Sequence, residues 1–103
     1  MKCIACDRTA TDMHHLIITR SMARGVPKSN KKFWNVVESP QNKYPLCHNC
    51  HLNSGGSMGH LSRADGLNLL RSSIGRQRAD EIFETVLRDA EQYTKTKFAR
   101  VVG

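Results

Sequence analysis

Several features are scarce in this chain, and each scarcity argues against a class of protein. No apolar run approaches the ~20 residues that a membrane-spanning helix needs. The opening residues, Met-Lys-Cys-Ile-Ala-Cys, lack the apolar stretch of a secretory signal, so we expect a cytoplasmic location. Three prolines and seven glycines in 103 residues argue against a fibrous or disordered chain. The length suits one domain with a thin core, which a metal could stabilise.

Acidic residues are also scarce relative to basic ones. Sixteen lysines and arginines face nine aspartates and glutamates, which gives a formal net charge of +7. Such an excess favours a polyanionic partner such as DNA, because binding releases the counterions condensed on its phosphates. A basic surface that only maintains solubility is the alternative. Charge alone identifies no reaction.

The cysteines number only four, but their spacing is informative. Cys3 and Cys6 form one pair, Cys47 and Cys50 the other, and 40 residues separate the pairs. A disulfide framework is conceivable, as are redox-active thiols, but a reducing compartment disfavours disulfides. Two closely spaced pairs are typical of zinc held tetrahedrally by four thiolates. We therefore predict a structural zinc site.

The remaining pattern predicts an α+β chain. A strand is expected over 12–18, a basic loop over 20–32 and a second strand or hydrophobic anchor at 33–37. A short helix should begin within 47–53 and end at the following glycines. Apolar residues at helical spacing then predict helices over 63–74 and 78–94, separated by Gly75. We expect the basic tail from residue 95 to be loosely held.

Three histidines and an asparagine suggest chemistry beside the predicted zinc. His14 and His15 lie on the first strand and His51 follows the last cysteine, so one zinc would bring them close together. Strand alternation points His14 and His15 to opposite faces unless the strand is irregular. An imidazole can serve as a general base near neutral pH. Asn42 could orient such a base by bonding its far nitrogen, or could fix a backbone turn.

These residues together resemble a known family. Cys-x-x-Cys, then His-His-Leu-Ile, then Asn42-Lys-Tyr-Pro-Leu-Cys-His-Asn-Cys-His51 is similar to the zinc-stapled branch of the His-Asn-His (HNH) endonucleases. The resemblance covers about residues 1 to 55 and implies a ββα-metal core, in which two strands and a helix surround one catalytic cation. It implies His15 as general base, His14 and His51 as cation ligands, and Asn42 as the residue that orients the base and shapes the loop.

The resemblance also sets the expected function. The chain should hydrolyse phosphodiester bonds in DNA with Mg²⁺, Mn²⁺ or a similar cation, while Arg20 and Arg24 hold the flanking phosphates. His60 is a further candidate ligand. Residues 1–60 would form the zinc-stapled nuclease core and 61–103 a helical extension that packs on the core or on a partner.

Two alternatives to a free-standing nuclease stay open from the sequence. One is a zinc-stapled nucleic-acid-binding module without catalysis. The other is an accessory subunit or homodimer that docks through its helices in a DNA-processing complex. Because small enzymes of this family are often encoded by phages, a bacterial or phage-infected cell is the expected setting.

Overall fold

The computed structural model describes residues 1–4, 6, 8–47 and 63–100. Across these ranges the chain is α+β, with one two-stranded antiparallel sheet and three helices. The strands are β1 (Asp12–His15) and β2 (Lys43–Leu46). The helices are α1 (Lys31–Val37), α2 (Arg63–Ile74) and α3 (Arg76–Glu91). The predicted α+β class is confirmed.

The sheet is shorter than the sequence predicted. In its register Asp12 pairs with Leu46 and His15 pairs with Lys43. Residues 16–18 were expected to continue β1 and are fully buried, yet they lie outside the strand. The side chain of Asn42, rather than a neighbouring strand, accepts hydrogen bonds from their backbone. An amide side chain thus takes the place of a strand partner at this end of the sheet.

The segment at 33–37 is helical, so of the two alternatives predicted there the strand is wrong, and the hydrophobic anchor is confirmed by the burial of Phe33 and Val37. Asn30 caps the helix, because its side chain accepts a hydrogen bond from the backbone N–H of Phe33 at 3.2 Å. Phe33 and Val37, four residues apart, are both buried on the inner side of α1. The β-branched valines favour a strand by propensity, but the cap and the burial of one helical face outweigh that preference. The second strand is instead formed by residues 43–46.

The two later helices were largely anticipated. The structure confirms α2 with the predicted bounds, and α3 runs over 76–91 rather than 78–94. Gly75 begins α3 with a φ of 95°, a conformation that side-chain-bearing residues rarely adopt. Arg71 of α2 donates to Asp80 of α3 at 2.7 Å and joins the two helices. Tyr93, inside the predicted range of this helix, lies beyond the end of α3 and is 38% exposed.

The basic tail is held in place up to residue 100, so the expectation of a loose tail is wrong there. Phe98 is buried and stacks on Phe33, with ring centroids 6.3 Å apart. Arg100 bonds to both Glu84 and Glu91 of α3 at 2.8 Å. One cluster of buried residues includes members from both sides of residue 60. Within the described part of the chain, no helix is both long and apolar enough to cross a membrane.

Candidate functional site

Three cysteines converge at one end of the hairpin. The segment before β1 folds back on β2, because the backbone N–H of Ile4 donates to the carbonyl of Pro45 at 3.0 Å. This contact places Cys3 and Cys6 beside Cys47, which directly follows β2. The three sulfurs lie within 4.8 Å of one another, and Cys6 Sγ is 3.5 Å from Cys47 Sγ.

This spacing suits a metal. Four sulfurs arranged tetrahedrally at about 2.3 Å from zinc stand roughly 3.8 Å apart, close to the observed separation of Cys6 and Cys47. A disulfide would need about 2.05 Å. Cys3 and Cys47 are buried, which would shield a metal here from water. The three cysteines are therefore positioned to bind a metal such as zinc.

The two histidines share a cavity of about 570 Å³. Its lining consists of Met13, His14, His15, Thr19, Arg20, Ser21 and Arg24. Both histidines belong to β1, where His14 pairs with Tyr44 and His15 pairs with Lys43. The structure thus brings His14 and His15 together with both arginines that the sequence assigned to phosphates.

A compact turn supplies the arginines. Ala23 N–H donates to the Thr19 carbonyl, and Met22 N–H donates to the Thr19 hydroxyl at 3.2 Å. The turn resembles one helical revolution, in which residues four apart lie on the same side. Arg20 and Arg24 are four apart and accordingly line the same cavity. Of the loop expected over 20–32, the part at 20–24 therefore lies beside the histidines, whereas Lys31 and Lys32 already belong to α1.

Asn42 is wholly buried and bonds only to backbone. Its Oδ1 accepts from Ile17 N–H at 2.9 Å and Ile18 N–H at 2.8 Å, while Nδ2 donates to the carbonyls of Ile18 and Val37 at 3.0 and 2.7 Å. Its own carbonyl accepts from Leu16 N–H at 3.0 Å. These four side-chain bonds use its full capacity, so no direct bond reaches His15. Of the two roles left open, Asn42 has the backbone one: it fixes the segment that follows His15.

Sequence reasoning missed the residue that does bond to His15. Glu38 Oε1 lies 3.1 Å from His15 Nε2, and Glu38 Oε2 lies 3.3 Å from Lys43 Nζ. Partial burial raises the pKa of Glu38, but the hydrogen bonds from Lys43 and His15 outweigh it, so the net pKa lies below the ordinary value. The carboxylate is therefore ionised near neutral pH.

A weak signal for Glu38 was present in the sequence. It is the first acidic residue after Asp12, at the end of 25 residues that carry five lysines and arginines. Its partner, however, is 23 residues away. Only the folding of α1 and the register of Lys43 opposite His15 bring the pair together.

Some assigned residues fall outside the described ranges. Cys50, His51 and His60 lie there, as do the predicted short helix and the glycines expected to end it. Of the residues that the family resemblance assigns to the catalytic cation, His14 is the one that the structure describes.

Comparisons with known proteins identify no family for this chain. Models of protein families, curated proteins and solved structures were all searched, and none matches this chain significantly.

Proposed function

We propose that this protein is a metal-dependent endonuclease of the HNH type that hydrolyses phosphodiester bonds in DNA. The single observation that carries the proposal is the cavity shared by His14, His15, Arg20 and Arg24. A base, a potential cation ligand and two permanent positive charges are the groups that phosphodiester hydrolysis needs. All four residues come from the short stretch 14–24, and the fold places them around one cavity, which supports the proposal.

His15 acts as the general base in this proposal, and Glu38 positions it. An ionised carboxylate only accepts hydrogen bonds, so Nε2 of His15 carries the hydrogen and the lone pair of the neutral ring is on Nδ1. Nδ1 is then the atom that takes a proton from the attacking water. The adjacent carboxylate of Glu38 stabilises the imidazolium that results, as in other His–carboxylate pairs.

Two metal sites belong to the proposal. Cys50 completes the thiolate set of Cys3, Cys6 and Cys47 around a structural zinc. His14 and His51 hold a divalent cation such as Mg²⁺ or Mn²⁺, with His60 as a candidate third ligand. When bound, this cation would stabilise negative charge on the scissile phosphate and the leaving oxygen.

The remaining residues bind and position the substrate. The Arg20 and Arg24 guanidiniums stay charged at any physiological pH and hold phosphates on either side of the scissile bond. Asn42 secures the chain that follows His15, and β1 and β2 correspond to the two strands of a ββα-metal core.

A plasmid assay tests the function. The protein should convert supercoiled DNA to nicked or linear forms when Mg²⁺ or Mn²⁺ is added, and His15→Ala should slow this by about 10²–10⁴-fold. Zinc content should not change in that variant. Full cleavage by His15→Ala would refute the assignment of the base. DNA binding with no cation-dependent cleavage would identify the protein as an inactive zinc-stapled module.

A second pair of variants tests the role of Glu38. Glu38→Gln should lower kcat and leave KM nearly unchanged, because the carboxylate acts on the base rather than on the substrate. Glu81→Gln is the matched control, since Glu81 is an exposed residue of α3 whose side chain bonds Gln77. Equal rates for the two variants would remove Glu38 from the mechanism.

A further inference from the structure

A second cavity continues from the histidine cavity. It has a volume of about 420 Å³ and is lined by Arg20, Arg24, Val26, Pro27, Lys28 and Trp34. Arg20 and Arg24 line both cavities and therefore form the boundary between them. A ligand lying along the two arginines would pass from the histidines to Lys28.

Lys28 is held on the face of an aromatic ring. Its Nζ stands 3.4 Å from the centroid of the Trp34 ring, within the range of a cation–π contact. Trp34 is fixed in turn, because its Nε1–H lies 3.0 Å from the carbonyl of Pro27 and 3.3 Å from that of Val26. The ammonium is thus placed at the cavity by a restrained side chain rather than by a freely rotating one.

The positive charge of this surface is not neutralised locally. No acidic residue occurs between Asp12 and Glu38 in the sequence. Among the described residues, the ion pairs involve Glu38, Asp80, Glu84 and Glu91, and Arg20, Arg24 and Lys28 take part in none of them. Three cations in a row without a counter-charge suit a row of phosphates.

We infer that the Lys28–Trp34 cavity is a second phosphate-binding subsite, which holds the DNA backbone beyond the scissile phosphate. The strand runs from His14 and His15 across Arg20 and Arg24 to Lys28. Lys28 covers one face of the Trp34 ring and presents its ammonium there, so this subsite binds the sugar–phosphate backbone rather than a stacked base. The inference deepens the proposed function and rests on it for the identity of the ligand.

The chain offers a close control for Lys28. Lys32 belongs to the same basic segment and also lies over an aromatic ring, with Nζ 5.9 Å from the centroid of Tyr93. It lines a different cavity, of about 320 Å³, together with Asp89. Lys28→Ala and Lys32→Ala therefore remove the same charge from two different places.

Binding of a fluorescein-labelled DNA duplex tests the subsite. Fluorescence anisotropy is measured in the His15→Ala background, so that cleavage cannot interfere. Lys28→Ala should weaken binding about fivefold near 150 mM salt and reduce the slope of log K against log salt by about 0.9, the value for one phosphate. Lys32→Ala should do neither. Equal losses in the two variants, or no loss with Lys28→Ala, would overturn the inference.

Trp34 supplies a second measurement, because it is the only tryptophan of the chain. DNA should change its emission in the parent and in Lys32→Ala, but not in Lys28→Ala. The two proposals fail separately. If DNA affinity depends on Lys28 but the parent protein does not cleave DNA, the subsite stands and the nuclease function is refuted. If the parent cleaves DNA and Lys28→Ala has no effect, the nuclease function stands and the subsite is refuted.

Discussion

The Asn42→Ala substitution should remove the side-chain hydrogen bonds that hold the backbone after His15, where strand pairing has ended. In the folded protein the amide joins Ile17, Ile18 and Val37 through four hydrogen bonds of 2.7–3.0 Å. All four partners are backbone groups, and Asn42 itself is fully buried. Alanine would leave each partner without its bond and would open a small cavity in the place of the amide.

The expected cost follows from the number of bonds. A hydrogen bond contributes about 1 kcal/mol net, so the loss of four should lower the free energy of unfolding by about 4 kcal/mol. A domain of this size has a total of roughly 5–15 kcal/mol. Asn42→Ala should therefore remove a large part of the stability.

Urea unfolding with zinc in excess measures this change, with the emission of Trp34 as the probe. At an m-value of about 1–2 kcal/mol per molar, the midpoint should fall by roughly 2–4 M. Asn35→Ala is the control, because Asn35 is an exposed residue of α1 and its loss should cost less than about 0.5 kcal/mol. A loss below about 1 kcal/mol for Asn42→Ala, with an unchanged m-value, would refute this account.

Three further predictions concern the metal, the tail and the turn between helices. Cys47→Ser should lower bound zinc, measured by mass spectrometry of the metal, and lower the melting temperature, because metal binding and folding are coupled. Arg100→Ala should destabilise the fold at pH 7 and do so less as the pH falls. Hydrogen bonds from Arg100 lower the pKa of Glu91 to about 2, so the stabilisation is complete above the ordinary value of 4.5 and is lost towards pH 2. Gly75→Ala should cost about 1–3 kcal/mol in urea unfolding, because its φ of 95° with ψ of 149° is accessible essentially to glycine alone.

Each of these has an outcome that would count against it. Unchanged zinc content in Cys47→Ser would argue against a thiolate site. For the tail, Arg88→Ala is the control, since Arg88 is exposed and pairs with Glu84 of the same helix. An Arg100→Ala effect that is constant from pH 7 to pH 3 would exclude Glu91 as its cause. An unchanged free energy of unfolding in Gly75→Ala would mean that the turn adopts another conformation at little cost.

Features that depend on local spacing could be predicted from the sequence. Two cysteine pairs predicted a metal site, and the three cysteines that the structure describes do meet. Periodic apolar residues predicted α2 and α3, because a helix repeats its buried face every three to four residues. Arg20 and Arg24, which the sequence predicted to hold the flanking phosphates, line the same cavity as His14 and His15.

Tertiary structure decided what depends on partners distant in the chain. Residues 33–37 read as a strand by propensity and became α1, because Asn30 caps them and Phe33 and Val37 are buried together. Asn42 could have bonded to an imidazole, but folding surrounds it with backbone groups that use its whole capacity. The bond between His15 and Glu38 spans 23 residues and leaves no periodic trace. Local patterns could therefore indicate which residues lie around the histidine cavity. The hydrogen-bond partners of those residues depend on tertiary packing and could not be predicted.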